Sequence, residues 1–214
     1  MNNNMSYLIN RRKAIYSIIM FLQCIAFSSY AQEMHMAGMA GMKENKNVFV
    51  SIMDTMMTSM EKVPGSQSAS RTFISQMIPH HQGAIAMAEY EIKHGKNFDM
   101  IQLAKSIKAE QQSELIQMKL LMNQTESAAE APKNLDKEFD KSMETMMNNM
   151  PSEHVLKDTD HAFALVMLPH HQAAIDMARV LLKHPGDVTV SAFARKLISD
   201  EQIEIEQMSH YLNK

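Results

Sequence analysis

Cysteine is nearly missing from this 214-residue chain, and the single one, Cys24, lies in a stretch that reads as an export leader. Arg11, Arg12 and Lys13 form a positive patch, Ala14 to Phe27 is a short apolar run, and Ser29-Tyr30-Ala31 puts small residues at the two positions a signal peptidase inspects. Cleavage before Gln32 is expected, with residues 1–31 as the leader. Phe21-Leu22-Gln23 stands where small residues precede a lipidated cysteine, which argues against acylation of Cys24. The exported chain then has no disulfide and depends on a packed core.

Long hydrophobic runs are missing as well. A membrane-spanning helix needs about 20 apolar residues, and neither the leader nor any later stretch supplies them. No transmembrane segment is expected in the mature chain, which is assigned to the periplasm or to secretion. An excess of basic charge is also absent. Removing three of the 21 basic residues leaves 18 against 24 acidic ones, a net charge of −6. That balance gives no basic face for nucleic acid. Alternating apolar patterns and β-branched runs are lacking, so strands are not expected. No nucleophile elbow occurs, which leaves nucleophilic hydrolysis without support.

Methionine, by contrast, is abundant. Of 23 methionines, Met1, Met5 and Met20 leave with the leader, and the remaining 20 outnumber the leucines, reversing the ordinary ranking. The chain is also written twice. At a shift of 90 residues, Met53, Thr55, Met56, Met57 and Met60 recur as Met143, Thr145, Met146, Met147 and Met150. Pro79-His80-His81-Gln82 recurs as Pro169-His170-His171-Gln172, and Lys93-His94 as Lys183-His184. Gln112, Glu114, Gln117 and Met118 recur as Gln202, Glu204, Gln207 and Met208. A tandem duplication follows, with a helical domain at 46–214 made of repeats 46–124 and 135–214. A polar linker at 124–133 joins them.

Each repeat reads as three helices, in the first copy about 47–62, 70–94 (stopped by Gly95) and 98–123. Pro79 implies that the second helix either starts there or kinks. Four long and two short helices make an all-α four-helix bundle the expected packing.

At about 100° per residue, Met77, His81, Ala84 and Ala88 occupy the middle of the second helix's apolar arc. His80, Met87 and His94 flank them. Met77 and His81 are one turn apart and can converge on one ion. On the third helix Leu103, Ile107, Glu110, Glu114, Met118 and Leu121 share a face, as do Phe193, Leu197, Asp200, Glu204, Met208 and Tyr211. Burying an unpaired carboxylate costs several kcal/mol, so Glu110, Glu114, Asp200 and Glu204 call for histidine partners, which they would orient for metal binding.

Thioether with imidazole points to soft metal ions: copper, as Cu(I) ahead of Cu(II), and silver by the same softness. The candidate ligands are Met77, His80, His81, Met87, His94 and Met118, with Met167, His170, His171, Met177, His184 and Met208 in the second copy. Met34, His35, Met36, Met39 and Met42 join them from a Gly-containing tail at 32–45 that lacks helical periodicity. Met53, Met56, Met57 and Met60 read as core filling.

The paired motif Met77-Ile78-Pro79-His80-His81-Gln82-Gly83-Ala84-Ile85-Ala86-Met87-Ala88, repeated at Met167 to Ala178, resembles the bacterial family filed as domain of unknown function 305, over roughly Phe49 to Lys214. The resemblance implies a ferritin-like four-helix bundle and, as in some members, copper binding and metal tolerance. By motif it carries over Met77, His80, His81 and Met87, with Met167, His170, His171 and Met177. The copies differ at Gly83/Ala173, Ala86/Asp176 and Glu91/Leu181, so the halves need not bind alike.

A non-catalytic copper or silver binder that buffers, confers tolerance or hands metal on is the expectation. A copper exporter or periplasmic metallochaperone would be its exchange partner. The competing reading is a carboxylate-bridged di-metal (iron) oxidase, whose Glu-x-x-His motif appears as Glu91-Ile92-Lys93-His94 but not in the second copy.

Overall fold

The computed structural model describes residues 46–64, 66, 68–124, 133–184 and 186–214. The expected leader, the tail with Met34, His35, Met36, Met39 and Met42, and most of the expected linker lie outside the described residues. The first repeat supplies α1 (Val48–Glu61), α2 (Ala69–His94) and α3 (Phe98–Gln124). The second supplies α4 (Leu135–Asn148), a 3-10 turn at Glu153–Val155, α5 (Thr159–Leu182) and α6 (Val188–Leu212). No strand occurs among the described residues. None of the helices is long and apolar enough to cross a membrane.

Side chains fix the helix starts. Asn47 accepts from Phe49 N–H, Asp158 from Asp160 N–H, and Asp187 from Thr189 and Val190 N–H. Asn97 accepts from Met100 N–H at the start of α3. Each such cap is worth about 1 kcal/mol. The proline expectation resolves in favour of continuity, since α2 runs through Pro79 and α5 through Pro169. Gly95 ends α2 as expected, in an extended conformation. A Cβ there would overlap the Glu91 carboxyl, so glycine is needed for space.

Helices α2 and α3 form one hairpin, α5 and α6 the other, and the hairpins join mainly through α2 against α5. The α3–α6 contact completes a four-helix bundle. Helix α1 lies on α2 and α5, and α4 lies on α5. Gly83 admits α1 closely: a Cβ there would stand 2.9 Å from Met56 Sδ. The core contains Phe49, Phe73, Phe163, Met53, Ile107 and Leu197, all inaccessible to solvent or nearly so. Full burial of such a side chain contributes about 1.5–3 kcal/mol. Met53, Met56 and Met60 are buried here, as core filling predicts.

The two copies are related by an approximate two-fold axis, visible because residues meet their own counterparts. His80 contacts His170, and Gln111 contacts Glu201. Off the axis, contacts are exchanged. The Asp160 carboxylate accepts from the Lys96 and Asn97 amides, while Ser70, its counterpart, accepts through Oγ from the Asp187 amide. Each copy thus secures the turn between the long helices of the other.

Candidate metal centre

Spacing places the site. Met77, His80, Ala84 and Met87 recur at intervals of three and four along α2, as do Met167, His170, Ala174 and Met177 along α5, so each set shares one stripe. All eight are inaccessible to solvent. The alanines keep the helices close, and the imidazoles of His80 and His170 meet with ring centroids 3.8 Å apart and planes inclined by 36°.

The adjacent histidines diverge. His81 faces its own hairpin, with Nε2 2.9 Å from Glu114 Oε2, and His171 Nε2 lies 2.7 Å from Glu204 Oε2. The carboxylates fix the orientation of these two rings. His80 and His170 have no such support: both nitrogens of each ring are buried and without a hydrogen-bond partner. Burial, reinforced by the neighbouring histidines, pushes both pKa values well below the ordinary range. These rings stay neutral and keep lone pairs available. A buried unmatched polar atom costs about 1–3 kcal/mol, a penalty that metal coordination would relieve. The residues therefore fit a soft ion held by imidazole and thioether.

The remaining expected ligands are distributed unevenly. Met118 and Met208 are buried in α3 and α6. His94 is exposed and stacks on Tyr90 at 4.2 Å, and His184 lies 3.4 Å from Glu138, so neither joins the central histidines. Glu91 is buried and faces Asp160. The Glu91-x-x-His94 motif therefore does not converge on one ion.

The carboxylate stripe needs one adjustment. Glu110 and Asp200 are only half-buried, at the edge of the α3–α6 contact, and the residues buried between Ile107 and Glu114, and between Leu197 and Glu204, are Gln111 and Glu201. Gln111 Nε2 donates to Glu201 Oε1 at 3.1 Å. Burial, then the nearby Glu204 and Glu114, raises the Glu201 pKa well above the carboxylate range. The spacing Ile107, Gln111, Glu114, Met118, Leu121 was available as a signal, since its steps of four, three, four and three follow the helical period more closely than one through Glu110.

Residues 11–122 and 119–212 each match the family described as Domain of unknown function (DUF305). The chain belongs to this family. Among solved structures it is similar to CopM in its Ag-bound form obtained by soaking, at 27% identity and a TM-score of 0.52, covering 69% of this chain and 97% of that one. It is also similar to CopM in the Cu(I)-bound form, at 26% identity and a TM-score of 0.51, covering 67% and 95%. A DUF305 fragment from Deinococcus radiodurans shares the fold at 19% identity and a TM-score of 0.51, covering 70% and 99%. No curated protein matches the chain. As a DUF305 chain with two matched copies, it has the all-helical bundle expected of its repeats.

Proposed function

We propose that this DUF305 protein binds soft metal ions, Cu(I) first and Ag(I) by the same chemistry, in the interior of its bundle. The observation that carries the reading is the His80–His170 pair, with four buried imidazole nitrogens that nothing else satisfies. Met77, Met87, Met167 and Met177 share the histidine stripes and supply thioethers, the donors preferred by Cu(I). His81 and His171, held by Glu114 and Glu204, are the next ligands. Likeness to copper- and silver-bound forms of CopM supports the same metals here.

In this reading residues 1–31 direct export, residues 32–45 collect metal through Met34, His35, Met36, Met39 and Met42, and the paired repeats store it. A periplasmic or secreted binder of this kind buffers copper, confers tolerance, or passes the ion to an exporter or metallochaperone. The metal is cargo, and no catalytic step is assigned. The di-iron oxidase reading loses its Glu-x-x-His ligand pair, because Glu91 is buried and His94 exposed.

The test is an anaerobic Cu(I) titration against a chromogenic chelator, with Fe(II) and Zn(II) in parallel. Tight Cu(I) binding above one equivalent with little Fe(II) uptake is expected. Weak Cu(I) binding beside two tight Fe(II) ions would reverse the assignment.

A further inference from the structure

Away from the histidine pair, the short helices leave a cleft of about 500 Å³ between α1 and α4, with Thr72 and Gln76 of α2 between them. Four methionines line it, Met57 and Met60 from α1 and Met143 and Met147 from α4. Met60 and Met143 are 5% and 7% exposed, whereas Met57 is half-buried and Met147 is 39% exposed. Ordering a methionine side chain costs more rotamer entropy than ordering a leucine. Four of them around one cleft, two in reach of solvent, are a poor choice for packing alone.

The repeat supplies an internal comparison. The counterparts of Met57, Met60, Met143 and Met147 are Met147, Met150, Met53 and Met57, so the thioethers recur. The charges around them do not. The cleft is also lined by Glu61, Asp136, Asp140 and Glu144, and by no lysine, arginine or histidine. Their counterparts are Pro151, Lys46, Val50 and Asp54, and Lys46 pairs with Asp54. There Asn47 Nδ2 also donates to the Leu156 carbonyl at 3.0 Å, tying the segment after α4 to the start of α1. One half of the molecule thus combines thioethers with an uncompensated negative field, which raises the local concentration of cations.

We propose that this cleft is a second soft-metal site, open to solvent, in which Met57 and Met147, backed by Met60 and Met143, hold one Cu(I) or Ag(I) ion. Thioethers select soft ions of this type, and the carboxylates attract the cation without having to ligate it. The site shares no residue with the histidine and methionine stripes of α2 and α5, and it does not rest on the interior reading.

The experiment follows isotope-labelled methionine methyl groups by nuclear magnetic resonance while Ag(I) is added to the protein. Met57→Leu and Met147→Leu assign the two signals, and both should move together. They should move equally in His80→Leu with His170→Leu, which lacks the central imidazoles, so failure of the interior site and failure of the cleft are told apart. Met57→Leu with Met147→Leu should lower Ag(I) capacity by one ion. The exchange conserves volume, and thermal melts verify the fold. Asp140→Asn with Glu144→Gln should weaken the site about threefold at low ionic strength and leave it unchanged in concentrated nitrate, because exposed charges are screened. A methionine-lined acidic groove also suits a basic amphipathic helix. If a lysine-rich helical peptide moves the Met57 and Met147 signals and Ag(I) does not, the cleft is a docking groove and the proposal fails. Undiminished Ag(I) capacity in the double leucine variant overturns it as well.

Discussion

Gln111 donates through Nε2 to Oε1 of Glu201 where the two repeats face each other, 3.1 Å apart and shielded from solvent. The pair occupies equivalent positions with different residues. Two glutamates there would set like charges against each other, whereas one amide supplies a donor to a carboxyl whose pKa burial has raised. Gln111→Leu should therefore destabilise the fold by about 1–3 kcal/mol, the cost of leaving a buried acceptor unmatched. Urea unfolding measures the change. A stability equal to wild type would mean that the hydrogen bond contributes nothing net.

Met77→Leu with Met167→Leu separates packing from ligation. Both methionines are fully buried, and a leucine of similar volume should cost less than about 1.5 kcal/mol at each position. Cu(I) affinity should fall while the thermal transition shifts only slightly. An unchanged affinity would remove these thioethers from the site.

Glu91 sets a pH dependence at the far end of the bundle. Burial, then hydrogen bonding and repulsion from Asp160, raises its pKa from 4.5 to about 8. Between those values the folded chain keeps a proton that the unfolded chain has released, so stability falls as pH rises through the window. Asp160 contributes in the opposite sense. Burial opposes its ionisation, but the Asn97 and Lys96 amides outweigh burial and lower its pKa, so its stabilisation is lost only in acid. Glu91→Gln keeps the shape and removes the titration. Thermal midpoints from pH 5 to pH 9 should decline more steeply in wild type than in the variant; parallel curves would exclude Glu91 as the source.

Much of this architecture was legible from the 90-residue repeat and the helical period, because a duplicated pattern of buried positions constrains how two copies pack. The helix boundaries of the first repeat fall within a residue or so of those expected. The division of labour between adjacent histidines was not legible. His80 and His81 lie about 100° apart on one helix, both inside the apolar arc, and only the neighbouring helices decide that one meets α5 and the other α3. Gln111 and Glu201 escaped because self-comparison rewards identity, and this pair matters through its difference. The exchanged contacts of Asp160 and Ser70 with the opposite turns join repeats that are far apart in sequence, beyond the reach of local spacing.

The central claim is that the His80–His170 pair is built for metal at the expense of stability. The most direct test replaces both with leucine and measures two quantities on the same protein, apo stability and anaerobic Cu(I) affinity. Removing buried imidazoles that lack partners should leave the apo fold as stable as wild type or more so, since replacing both by apolar groups deletes unmet hydrogen-bonding needs. Cu(I) affinity should fall by about a hundredfold or more, because even the loss of a hydrogen-bond partner behind a metal ligand costs about 10–100-fold. A double variant that holds Cu(I) as tightly as wild type would contradict the account.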